Sequence, residues 1–518
     1  MIHRGKVQIT LIESPTIPRI SVGEATVPSI RHFLSVIGVN HLDFMRATDA
    51  TFKQSIKYVN WLHKERHIYH HPFSRNRPGP LDRAAINWMR SDRSIPFMET
   101  VSVQPLICDA GLAPLMLGPW DFGAPLTYAF HMNAQKFADH CRDLCVARGV
   151  VHISDDVVDV TLGERGQIAN VTTALGKALS ADLFVDCSGF SALLSEKALN
   201  VGWEDCSQWL LCDRAIAMHI PYDCFYPGHV RPYTTATALS NGWVWDIPLT
   251  NCRSIGYVHS SAYISQDDAE AEARVYAGPA AAQLPCRVVR FKVGRREKVW
   301  AKNCIAIGLS GGFIEPLEST GLFLSQQAAE LLAEHFPFSD EDVETMAFRV
   351  NRVMANRFYE ILDFINMHYC LTRRTDTLFW REVGKPERIV PRLQAKFDYW
   401  KIKSPSISDF EDQFIPHQRA TPTGAKISDS DGRPAVDTGR LWGHESYECI
   451  LYGMDFMADE YGALLGDKRR PPIVAEAVMQ WLMAAPQKLP PHDLWLQEVL
   501  GMKKYPGPRS SQWCSHES

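Results

Sequence analysis

The chain has 518 residues, a formal net charge of −5 at pH 7 and 46% hydrophobic residues. That is the balance of a globular protein of two or three domains, and it excludes disorder for most of the length. The slight acidity gives nucleic acid or an acidic membrane no bulk attraction.

The cysteine count is 13, odd and without a CxxC pair, which predicts reduced thiols in a cytoplasmic protein. No apolar run approaches the roughly 20 residues of a membrane span, and no signal-peptide core opens the chain.

In chain order, residues 8–13 (QITLIE) read as a buried parallel strand ending in an acid. In a dinucleotide-binding sheet such an acid, here Glu13, bonds the adenosine ribose; taken alone, an ordinary strand-end acid is the simpler reading. No GxGxxG turn precedes it. Cys141 and Cys145 fall in a helical stretch. Residues 181–189 (ADLFVDCSG) and 303–312 (NCIAIGLSGG) each predict a strand running into a small-residue turn. Such turns bring backbone close to a ligand at the carboxyl ends of a parallel sheet, or serve structure alone. Past Gly321 the spacing of Leu324, Ala328, Leu331, Leu332 and His335 predicts a helix ended by Pro337. Ser339 is the expected N-cap of a long amphipathic helix carrying Val343, Met346, Val350, Val353, Met354, Phe358, Ile361, Leu362 and Ile365 on one face. Residues 405–440 are rich in Ser, Pro, Gly and Asp and predict an exposed loop or lid. The expected division is 1–330 for a ligand-binding core and 331–518 for a helical cap with a polar tail.

Four patterns carry chemistry: NGWVWDIP (241–248), SVGEATVP (21–28), FKQSIKYVNW (52–61) and FIEPLESTG (313–321). On a strand, Trp243 and Trp245 face one side, as core filling or as a wall. Gly321 opening a helix would expose free N–H groups to an anion. His63, His67, His70 and His71 lack an acid or cysteine at ligand spacing, so no metal is expected.

Together, in this order, the patterns resemble the flavin-dependent halogenases, most closely the tryptophan halogenases. HIYH (67–70), YAFHMNAQKFA from Tyr128, LFVDCSGF from Leu183 and FINMHY with RTDTLFW between Phe364 and Trp380 extend the match. The resemblance implies an α/β fold: a flavin-monooxygenase-like, Rossmann-type FAD-binding core with an α-helical C-terminal region. It implies FADH2- and O2-dependent halogenation of an aromatic substrate, tryptophan or another indole, by hypohalous acid delivered to a lysine. That lysine falls on Lys53, with Lys57 on the same face if the stretch is helical. The catalytic carboxylate falls on Glu318, and Glu315 is a structural acid. Thr320 and Gly321 match the halide site, for chloride or bromide. Trp243 and Trp245 would keep flavin and substrate apart. FAD contacts fall on Glu13, Val22, Gly23, Glu24, Ala25, Thr26, Ser188, Gly189, Gly308 and Leu309. Tyr447 matches one of a tyrosine pair that clasps substrate, with Glu448 in place of the second.

A separate NAD(P)H-dependent flavin reductase is the implied partner, and a homodimer is possible under the resemblance. An aromatic hydroxylase and a flavin-free aromatic-binding remnant are the rival readings. Relatives carry a first βα unit of roughly 25–30 residues with the pyrophosphate-binding turn. It is absent from these 518 residues, and a start upstream of Met1 is the expected explanation. The strand ending at Glu13 should then lack a neighbour and expose apolar surface.

Overall fold

The computed structural model describes residues 7–17, 19, 23–75, 84–118, 126–406, 409, 441–456 and 470–506. A seven-stranded sheet runs through its centre. Its order is Cys286–Arg290, Arg214–Pro221, Cys252–His259, Gly242–Pro248, Thr234–Ala238, Ser55–Val59 and Ile68–Pro72. Every neighbouring pair is antiparallel except Thr234–Ala238 with Ser55–Val59, which is parallel. All seven residues of Gly242–Pro248 are buried. Both faces of that strand are covered, which explains its near-continuous apolar run. Ala269, Ala273 and Ala277 of the helix Gln266–Ala277 pack on one face of the sheet, where small side chains let the helix approach closely. The other face shares a hydrophobic cluster with the 29-residue helix Asp342–Cys370 and with helix His444–Gly453.

Two short parallel ladders lie outside the large sheet. Thr10–Glu13 pairs with Val151–Ser154, and Phe184–Asp186 pairs with Cys304–Ala306. Both predicted strand–turn units are present. The turns Gly189–Ser191 and Gly308–Ser310 follow their strands, and Gly189 and Gly308 sit at φ +69° and +72°, where a side chain is strained. Among the described residues Thr10–Glu13 pairs on one edge only, and Ile9 and Leu11 are 55% and 37% exposed.

Two local expectations change. Residues 52–61 are not helical: Thr51–Lys53 and Ser55–Val59 are strands of different sheets, so Lys53 and Lys57 share no helical face. The alternation of β-branched, aromatic and polar residues prevails there, and the Gln54 N–H leaves the ladder to donate to the Pro232 carbonyl at 2.8 Å. The long helix begins at Asp342, whose Oδ2 accepts from the Ser339 N–H at 3.1 Å, so the aspartate and not the serine supplies the side-chain contact. Nearly all of the 405–440 loop lies outside the described residues.

Candidate active site

Lys53 ends the strand Thr51–Lys53, which pairs with Ala129–Asn133; that strand pairs in turn with Gly23–Ala25. The ammonium is fully buried and donates to the Thr26 carbonyl at 3.0 Å and to Ser319 Oγ at 2.8 Å. Burial pushes Lys53 down to about 7, although Glu318 and Glu24 favour its charge. Burial likewise pushes Glu24 up to about 7 against the pull of Lys53. Two groups of opposite sign thus lie near neutrality together, so a proton moves on or off Lys53 cheaply at physiological pH. Ser319, at φ +61°, occupies the left-handed region that a serine seldom adopts, and this conformation brings its hydroxyl to Lys53.

Glu318 closes the turn Pro316–Glu318 and is 1% exposed. Its Oε1 accepts from the Tyr58 hydroxyl and lies 3.0 Å from His71 Nδ1 and 3.2 Å from His368 Nε2. Its Oε2 keeps only a 3.2 Å contact with His71 Nδ1. Burial alone would raise this carboxyl, but the charges and hydrogen bonds of His71 and His368 outweigh it and hold Glu318 far below the usual carboxylate range. Phe364 lies 5.7 Å from the His71 ring and stacks on Trp442 at 4.1 Å, forming an aromatic wall beside the carboxylate.

Trp243 and Trp245 stand on the same face of their strand, with ring centroids 6.4 Å apart. Glu315 Oε2 accepts from Trp243 Nε1 at 2.8 Å and from the Tyr369 hydroxyl at 2.6 Å, which makes Glu315 the buried structural acid expected. Burial lifts it to about 7, while those two hydrogen bonds limit the rise. Trp245 lies flat over Gly256, opposite it in the next strand, where an added Cβ would come within 2.0 Å of the ring. Gly256→Ala therefore displaces Trp245 and lowers stability by about 1–3 kcal/mol, to be read as a fall in the denaturant midpoint. An unchanged midpoint would show that the indole is not held there.

At the parallel ladders, Ser188 Oγ donates to Asp186 Oδ1 at 2.6 Å, and the Ile307 N–H donates to the Asp186 carbonyl at 3.0 Å. These bonds tie the turns that carry Gly189, Gly308 and Leu309 into one unit. Gly23 donates its N–H to Ser254 Oγ at 2.8 Å and sits so close that a Cβ would meet Ser254 Cβ at 2.4 Å. Thr26 Oγ1 donates to the Phe130 carbonyl at 2.9 Å, and Ala25 is buried beside it. Glu13 is engaged by Arg19 and lies 3.3 Å from His152 Nε2. Val22 lies outside the described residues.

The donor set fits a flavin in part. The left-handed glycine turns, the strand-end acid and the sealed, unpartnered N–H of Trp245 suit its ribose and ring ends. A glycine-rich pyrophosphate turn is not among the described residues. Thr320 and Gly321 open the 14-residue helix Gly321–Glu334, and the buried Thr320 Oγ1 has no partner. Tyr447 is fully buried against Phe364 and Trp400, with Lys396 Nζ 5.2 Å from its ring centre.

The structure thus brings Lys53 against Thr26 and Ser319, with Glu318 and Glu24 close enough to act on its charge, and places Glu13, Ser188 and Gly189 with the parallel ladders. Sequence reasoning missed Ser319, Tyr58, His71, His368 and Gly256. All but Gly256 lie inside or beside quoted motifs, yet their roles depend on pairings that no spacing rule encodes. Among the described residues no group of three or more His, Cys, Asp or Glu could hold a metal ion, and no helix is long and apolar enough to cross a membrane.

The fold, with short parallel ladders and glycine turns beside a buried lysine and carboxylate, is of the class of flavin-dependent halogenases. A sequence model described as tryptophan halogenase matches residues 1–469, and the chain belongs to that family. The 7-chloro-L-tryptophan 6-halogenase KtzR of Kutzneria sp. (strain 744) is 36% identical, over 77% of this chain and 81% of that one. The tryptophan 7-halogenase RebH of Lentzea aerocolonigenes is 32% identical, over 88% and 86%. A tryptophan halogenase from Shewanella frigidimarina NCIMB 400 superposes with a TM-score of 0.82 at 31% identity, covering 96% of this chain and 91% of that one. Tar14, a tryptophan C-6 flavin-dependent halogenase from taromycin biosynthesis, gives a TM-score of 0.82 at 32% identity, covering 96% and 95%. The protein is an enzyme, and its family uses reduced FAD, oxygen and halide, acts on aromatic substrates and needs a separate flavin reductase.

Proposed function

We propose that this enzyme halogenates tryptophan or another indole, and that Lys53 presents hypohalous acid to the ring while Glu318 stabilises the ring cation. The observation that carries the reading is the sealed connection from Lys53 through Ser319 to the neighbouring Glu318. Reduced FAD supplies the electrons that let oxygen oxidise halide. The chain's own residues do the rest.

The Lys53 ammonium donates a hydrogen bond to the oxygen of hypohalous acid, which draws electron density from the halogen and makes it electrophilic. The Thr26 carbonyl and Ser319 hydroxyl hold the ammonium in one place, so the halogen meets the ring at a set distance. As the ring carbon gains halogen it becomes cationic, and the ionised Glu318, in a site shielded from water, stabilises that charge. Trp243, anchored by Glu315, and Trp245, resting on Gly256, separate the flavin side from the chamber. This favours halogenation over direct hydroxylation.

Thr320 Oγ1 and the free N–H groups opening its helix suit a halide ion. Thr320→Val removes one hydrogen bond to a charged group, so the KM for chloride rises about tenfold while the KM for the aromatic substrate stays put. An unmoved chloride KM would take Thr320 out of the halide site.

The direct test supplies reduced FAD, oxygen, chloride or bromide and tryptophan, with mass spectrometry of the products. Halotryptophan supports the reading. Hydroxytryptophan, or flavin consumed without any aryl product across a panel of indoles, would overturn it.

A further inference from the structure

We propose that His492, near the C-terminal end of the described chain, is a positioning residue for Lys53: it holds the outer edge of the lysine's strand, so that the ammonium stays in register with the aromatic substrate. The inference rests on the role proposed for Lys53 above and adds the residue that keeps it in place.

The strand Thr51–Lys53 lies at the edge of its three-stranded sheet, with Ala129–Asn133 along one side. Among the described residues no strand pairs with its other side. Phe52 is fully buried, so its N–H cannot turn to water and needs an acceptor inside the protein. That acceptor is His492 Nε2, at 3.4 Å and 440 residues away along the chain. His492 Nδ1 lies 2.8 Å from the Val230 carbonyl, which only accepts. The ring hydrogen is therefore on Nδ1, and the neutral imidazole turns its Nε2 lone pair toward Phe52. Burial pushes His492 down to about 4, which keeps the ring neutral at pH 7.

The histidine is itself held firmly. Its backbone N–H donates to the Gly111 carbonyl at 2.8 Å, and the Ala113 N–H donates to the Pro490 carbonyl at 2.9 Å. Asp493 accepts from the Val230 N–H at 2.6 Å and from the Tyr226 hydroxyl. Trp495 meets the Phe52 ring edge to face at 4.6 Å and donates its indole N–H to the Met116 carbonyl at 3.1 Å.

The residue before Phe52 is tied elsewhere. Thr51 Oγ1 donates at 2.6 Å to the carbonyl of Pro248, the last residue of the strand that bears Trp243 and Trp245. The lysine strand is thus gripped between the tryptophan strand and the C-terminal turn. Thr26 and Ser319 fix the ammonium end of Lys53, and His492 fixes the backbone just before its Cα. A misplacement of about 1 Å in such a positioned group costs on the order of 100-fold in rate.

The test reads two quantities in the full chain: aryl halide formed per reduced flavin oxidised, and hydrogen exchange of the peptide containing Phe52. His492→Leu lowers the first about 10- to 100-fold and speeds the second, with little change in the KM for the aromatic substrate. His492→Gln, whose side-chain carbonyl still accepts from the Phe52 N–H, restores most of both. Tyr226→Phe loosens the same turn without touching Nε2, so it lowers the denaturant midpoint and leaves product per flavin at the wild-type value. In the unmutated chain, 15N resonances of His492 show hydrogen on Nδ1, a reading that depends on no variant folding. Hydrogen on Nε2 would overturn the proposal. So would a wild-type product ratio in His492→Leu, or an equal loss in Tyr226→Phe. Any of these in an enzyme that makes aryl halide removes the positioning role alone. An unmutated chain that makes no aryl halide from any indole takes the halogenase reading and this role with it.

Discussion

Lys53→Ala abolishes aryl halide formation while reduced flavin is still consumed at the wild-type rate. The loss exceeds about 1,000-fold, because the variant lacks both the hydrogen bond that polarises the oxidant and the fixed point from which it reaches the ring. Flavin oxidation continues because the reaction of reduced flavin with oxygen precedes the step proposed for Lys53. Liquid chromatography of products beside flavin absorbance decides the matter, and retained halogenation would remove Lys53 from its role.

The same substitution site has a stability signature of the opposite sign. Burial has lowered Lys53 from 10.5 to about 7, so between those values the unfolded chain binds the proton more readily than the folded one. Stability from this group therefore rises with pH across that window, and the full penalty applies below about 7. Lys53→Met, which keeps the bulk and drops the charge, raises Tm at pH 6, and the gain fades as the pH approaches 10.5. Scanning calorimetry at several pH values checks it. A Tm difference that does not change with pH would mean that Lys53 is not a penalised buried cation. The lysine proposed to present the oxidant is thus kept at a cost to the fold.

Glu318→Gln lowers kcat by about 100- to 1,000-fold, with the KM for the aromatic substrate changed far less. The amide matches the carboxylate in shape and can still accept from Tyr58 or His71, yet it carries no charge to offset a ring cation. Its stability effect has the sign opposite to that of Lys53. Glu318 is depressed below its ordinary 4.5, so it stabilises the fold above that pH, and the contribution is lost as pH falls through the folded value. The variant should be less stable than wild type at pH 7, and the two should converge in strong acid. Unchanged turnover would assign the cation's stabilisation elsewhere.

Much of this was legible along the chain. The strand–turn units at 184–191 and 304–310 were readable because an apolar run followed by small residues has few other folded outcomes. Lys53, Glu318 and the tryptophan pair stood out through motif order. What stayed hidden was tertiary. Tyr58 reaches Glu318 across 260 residues and His71 across 247, and no local pattern encodes such a meeting. Gly256 becomes meaningful only when strand register sets it beneath Trp245. Whether the stretch around Lys53 is helical was open in the sequence, and its aromatic and β-branched alternation goes with the strands found there.

The parallel pairing of Ser55–Val59 with Thr234–Ala238 also bears on how the molecule comes into being. A strand that must wait for a partner so far along the chain gives high contact order and slow folding. During synthesis at about 5–20 residues per second, one edge of Ser55–Val59 pairs early with Ile68–Pro72, while the other remains without its native neighbour for on the order of ten seconds or more. Slow translation in the cold and a supply of chaperones should therefore govern the yield of soluble enzyme more strongly than the stability of the finished fold.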